Sequence, residues 1–118
     1  MQAGTLKLET EIKEGVLMVQ VSGPLDSATY DQFKMFMEPI ISQPRVRVVL
    51  DCRKTTYVNS RSWTLLMHFH RMALQVLSDF KIAAFDPCSL KGIQRMGLDK
   101  GLAWSTTVEQ ALQPAVAM

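Results

Sequence analysis

The run Arg45-Val46-Arg47-Val48-Val49-Leu50-Asp51 is β-branched and follows a polar Gln43-Pro44 break, with an amphipathic stripe of helical period on each side of it. A strand between two helices must take its sheet partners from strands farther along the chain, and after a crossover helix it pairs parallel to an earlier strand. The run therefore implies an α/β architecture with a β-α-β unit at its centre.

The earlier strands are legible upstream. Leu6, Leu8, Thr10 and Ile12 alternate with Lys7, Glu9 and Glu11, the period of two of a strand with one face toward a core. Lys13-Glu14-Gly15 supplies a tight turn, and Val16 to Ser22 returns as an antiparallel partner, so the chain opens with a β-hairpin. Gly23-Pro24 is expected to break that strand, and Asp26 or Ser27 to cap a helix beginning near Ala28. Tyr30, Phe33, Met37, Ile40 and Ile41 form its apolar stripe, and Pro39 predicts a kink or a restarted last turn.

Downstream the alternation repeats. Thr55 to Val58 extends briefly, then Asn59 and Ser60, both good caps, open a helix from about Arg61 to Leu77 with Leu65, Leu66, Phe69, Met72, Ala73 and Val76 as its buried face. Asp79 to Phe85 reads as a further strand. Pro87 and Ser89 start a short helix stopped by Gly97, residues 102–105 form an edge strand, and residues 107–112 a last helical turn. The expectation is one domain over residues 1–118, core about 6–112, with a mixed four- to five-stranded sheet, an N-terminal hairpin and about four helices.

Composition narrows the function. With 118 residues, 47% hydrophobic and 20% charged, the chain suits one folded core and not a disordered tail. A net charge of +2 with scattered Lys and Arg leaves no footprint for nucleic acid. The polar start Met1 to Thr5 lacks the apolar centre of a secretory signal, and Val58 to Leu77 carries too many polar residues to span a bilayer. A cytoplasmic protein with reduced Cys52 and Cys88 is expected.

No catalytic signature stands out. His68 and His70 lie two apart on a helix, roughly 200° around its axis, and cannot share a metal as an i, i+4 pair would. Nucleophile-elbow, phosphate-loop and dinucleotide motifs are missing, so neither cofactor nor metal is expected. Cys52, at the carboxyl end of the central strand, reads as a packed thiol, and the strand-end acids Asp26 and Asp51 read as caps or loop-ordering carboxylates.

What remains is the polar knot Tyr57-Val58-Asn59-Ser60-Arg61-Ser62-Trp63 at a helix start, where free amides and the positive dipole end would stabilise a phosphate on Ser60. Ordinary capping explains the same residues. Four stretches stand in order along the chain: Gly23-Pro24-Leu25-Asp26, Val48-Val49-Leu50-Asp51, Val58-Asn59-Ser60-Arg61-Ser62 and Met96-Gly97-Leu98-Asp99-Lys100. Together they resemble the STAS family, which includes anti-sigma factor antagonists and sulphate-transporter domains.

The resemblance implies a non-catalytic partner-switching domain. Ser60 aligns with the serine phosphorylated by an anti-sigma factor serine kinase and reset by a phosphatase. Asp26, Asn59, Ser60, Arg61, Ser62 and Trp63 are the implied partner-binding residues. Asn59 stands where the family has aspartate, Arg61 where it has a second serine, and Ser62 where it has glycine. Arg61 is open to two roles, pairing with a phosphate on Ser60 or presenting a cation to the partner. Trp63 is either a core plug or an exposed anchor. The other readings are a STAS scaffold in a transporter or stressosome-like assembly, indifferent to Ser60, and an enzyme or small-ligand-binding domain using Cys52. A homodimer through the first strand or an apolar patch is compatible with each.

Overall fold

The hairpin turn follows from two left-handed residues, Glu14 at φ 54° and Gly15 at φ 76°, which give a two-residue loop the twist that antiparallel strands need. In the computed structural model, which describes residues 5–84, 104–105 and 107–112, this loop joins β1 (Lys7–Lys13) to β2 (Val16–Leu25), pairing Lys13 with Val16 and Lys7 with Ser22. The chain continues through α1 (Tyr30–Ile41), β3 (Arg47–Asp51), β4 (Thr55–Val58), α2 (Ser60–Gln75), β5 (Asp79–Ala83), β6 (Trp104–Ser105) and α3 (Val108–Leu112).

The sheet is mixed, in the order β1-β2-β3-β5-β6, antiparallel only at the hairpin; short β4 pairs parallel to β2 beyond the reach of β3. Among the described residues there are three helices. The helix expected after Pro87, the Gly97-Leu98-Asp99 stretch and Cys88 lie outside them.

Each face of the sheet has its own core. On one, Val19, Val21, Val48, Leu50, Phe80 and Ile82 pack under α1 and α2. Phe69 sits at the junction, 5.9 Å from Phe33 of α1 and 6.2 Å edge-on from Phe80 of β5 between ring centroids. On the other, Val16, Met18, Val49 and Ala83 meet Val108, Ala111 and Leu112 of α3.

Four local expectations need correction. β2 does not stop at Gly23-Pro24: Gly23 adopts φ 109°, the register shifts there, and the strand bends on to Leu25. A side chain at Gly23 would collide with the Thr5 carbonyl oxygen, so glycine is needed for the close approach as well as the angle. Helix α1 starts at Tyr30, two residues late, because Asp26 orders the preceding turn through Ala28 N and Thr29 N (3.0 and 3.1 Å) instead of capping the helix. Of the two outcomes expected at Pro39, the restarted last turn is the one that fails: the helix runs as one element to Ile41, with Ser42 N donating to Glu38 O at 3.0 Å beyond the proline. Ile12 is 77% exposed, since the hairpin tip extends past the helical layer that covers Leu8.

Candidate functional site

Two chain segments meet at the carboxyl ends of β2 and β4. Leu25 is the sheet partner of Val58, and Asn59 N donates to Leu25 O at 3.0 Å. The Asp26 turn and the start of α2 thereby become neighbours, although 33 residues separate Asp26 from Asn59 in the sequence. Thr29 ties the turn down, its hydroxyl donating to Pro24 O at 2.9 Å and accepting from Asp26 N at 3.0 Å.

Asn59 is the cap of α2. Its backbone is extended (φ −85°, ψ 170°) and its side-chain oxygen accepts from Ser62 N at 2.8 Å, while its carbonyl accepts from Trp63 N at 3.0 Å. Ser60 occupies the first helical position and is exposed; its amide and that of Arg61 are the donors of the first turn left over by the cap. The same geometry buries the next two residues. Ser62 is 1% and Trp63 2% exposed, so Trp63 is the core plug and neither side chain contributes to a surface. Of the six implied partner-binding residues, Asp26, Asn59, Ser60 and Arg61 reach solvent.

Arg61 makes a contact that its position in the sequence did not suggest. Its guanidinium lies over the Tyr30 ring, 3.9 Å from the centroid, clasping the start of α2 to the start of α1. Adjacent helical residues point about 100° apart, which directs Arg61 to α1 and leaves Ser60 facing outward. Tyr30 was legible only as part of an apolar stripe; a contact across 31 residues has no local period to betray it. From Tyr30 a trough of about 320 Å³ runs between the helices, lined by Lys34 and Glu38 of α1 and by Thr64, Leu65, His68 and Arg71 of α2.

The remaining candidates resolve into structure. Cys52 is 1% exposed and its thiol is pushed up to about 12, chiefly by burial and further by the Asp51 charge, against a hydrogen bond with Thr55. A thiol so protonated is a poor nucleophile. Burial raises the Asp51 pKa, but hydrogen bonds and charge from Arg53 outweigh it and hold the carboxyl below its ordinary 3.8. Asp51 orders the β3–β4 turn: it accepts from Arg53 N at 3.1 Å and from the guanidinium at 2.7 to 3.1 Å. The pair borders a pocket of about 270 Å³ with Gln20, Ser22 and Lys54. His68 is exposed, whereas His70 is half-buried with Nδ1 lacking a hydrogen-bond partner among the described residues. Among those residues, no three His, Cys, Asp or Glu side chains gather as a metal set.

The family model for the STAS domain matches residues 7–111. The chain belongs to the STAS domain family. Solved structures similar to this STAS domain include an anti-sigma factor antagonist from Mycobacterium paratuberculosis, 24% identical, covering 92% of each chain with a TM-score of 0.79. The Bacillus cell fate determinant SpoIIAA in its phosphorylated form is 19% identical over 92% of this chain and 96% of its own, TM-score 0.65. A sulfate transporter family protein from Wolinella succinogenes is 17% identical over 86% and 85%, TM-score 0.66. At these identities the likeness is one of fold. No helix among the described residues is long and apolar enough to cross a membrane.

Proposed function

We propose that this STAS domain is a cytoplasmic, non-catalytic anti-sigma factor antagonist that works by partner switching, with Ser60 as the phosphoacceptor. The observation carrying the reading is the placement of Ser60: an exposed hydroxyl at the first position of α2, beside the Asp26 turn, on a helix whose cap is supplied by its neighbour Asn59. The serine is therefore spare for modification without loss of the cap. A structural neighbour, SpoIIAA, has been solved in phosphorylated form, which supports the same chemistry here.

Unphosphorylated, the domain docks its α2 start and Asp26 turn on an anti-sigma factor serine kinase. Phosphate on Ser60 adds roughly two negative charges to that contact, where desolvation and like-charge repulsion break it. A phosphatase restores docking. Incubation with the cognate kinase and ATP should add one phosphate, mapped by mass spectrometry to Ser60, and Ser60→Asp should abolish kinase binding while Ser60→Ala retains it. A protein unmodified at Ser60, with Ser60→Asp binding as the parent does, would sink the reading.

The Arg61–Tyr30 clasp favours a second reading. Where the family has a small serine, this chain sets a bulky cation fixed to α1, a surface suited to constitutive docking in a scaffold. Partner capture equal for the parent, Ser60→Asp and Ser60→Ala proteins would select it.

A further inference from the structure

We propose that the trough between α1 and α2 binds an acidic segment of a partner protein. Its walls bring Lys34 and Arg71 together with the imidazole of His68 over an apolar floor at Leu65, and Glu38 is the one acid among them. Arg61, stacked on the Tyr30 ring at the upper end, adds a third cation. Among the described residues none of these three cations is ion-paired, so their charge is available to an incoming carboxylate. Charge complementarity of this kind accelerates and orients protein association.

The dimensions select a peptide. Tyr30 to Glu38 spans eight helical rises, about 12 Å, which matches about four residues of extended chain. Three cations along that length suit carboxylates at alternate positions of such a segment. Three cations are fewer than the roughly 6–10 phosphate contacts of a strongly salt-dependent DNA-binding protein, so a short acidic peptide suits the trough better than a nucleic-acid backbone. The site lies down the helices from Ser60 and rests on protein docking to this face, not on phosphorylation. It gives a partner a second foothold whose strength does not depend on the state of Ser60.

The test uses the full chain and fluorescein-labelled hexaglutamate, with hexaglutamine as the neutral control, followed by anisotropy. The parent should bind hexaglutamate and not hexaglutamine. Lys34→Glu/Arg71→Glu should bind at least about tenfold more weakly, as expected for two reversed charges in one interface. Lys34→Gln/Arg71→Gln serves if the reversal melts early. Lys54→Glu, which lines the other pocket, and Ser60→Ala should both bind as the parent does, so that loss of this site and loss of the Ser60 switch are separable. The proposal is overturned if the folded parent ignores hexaglutamate, if the Lys34 and Arg71 variants bind it equally, or if phosphatidylserine vesicles are bound as tightly with the same sensitivity.

Discussion

Asp51 shows how one side chain can be functional in appearance and structural in fact. It ends the central strand, only 3% of its side chain is exposed, and its oxygens are taken by the Arg53 guanidinium and amide. Because its pKa in the folded protein lies below the ordinary 3.8, folding favours the charged form. The stabilisation is complete above the unfolded-state value and is lost as pH falls through the lower folded value. Asp51→Asn keeps the shape and removes the charge. In urea titrations near neutral pH it should be less stable than the parent by about 1–2 kcal/mol, a modest figure because Arg53 is half-exposed. That gap should close below pH 3.8; a gap constant down to pH 2 would refute the assignment. Arg61 teaches the converse: its neighbours in sequence suggest Ser60 as its business, yet Tyr30 holds it.

At the scale of elements, the strand β2 does more than its local sequence suggests. Gly-Pro normally ends a strand, since proline offers no amide to the ladder. Here the bend at Gly23 lets β2 leave β3 and meet β4, and Gly23 N donates to Lys54 O at 3.0 Å across that change of partner. The extension carries Leu25 to Val58 and so sets Asp26 against the start of α2. Gly23→Ala would demand a left-handed alanine and a clash with Thr5, and should cost about 2–3 kcal/mol in chemical denaturation. If Ser60 acts through a surface shared with the Asp26 turn, the folded fraction of Gly23→Ala should also lose partner affinity. An unchanged melting temperature would show that the chain can reach this register without the glycine.

Across the whole molecule, the sheet is a partition between two apolar layers, and Phe69 links three elements of the larger one. Phe69→Ala should cost about 3–5 kcal/mol, a large share of the roughly 5–15 kcal/mol that holds a domain this size together. Urea unfolding should show the midpoint fall with the slope unchanged, and a loss under about 1 kcal/mol would mean the helical layer repacks freely. How much of this was readable beforehand depended on range. The hairpin, the parallel central strand and the α2 face are set by periods, turn residues and hydrogen bonds within a few residues, so the sequence alone determined them. It placed the start of α2 at Asn59 and Ser60, either of which can cap, and the structure gave the cap to Asn59 and the first helical position to Ser60. Only the tertiary structure decided that Trp63 plugs the core, that Ile12 projects beyond it, that Arg61 joins Tyr30 and that a cationic trough runs between α1 and α2. Those outcomes depend on which surfaces a crossover connection brings together, and a residue's local period says which face it occupies without saying what that face will meet.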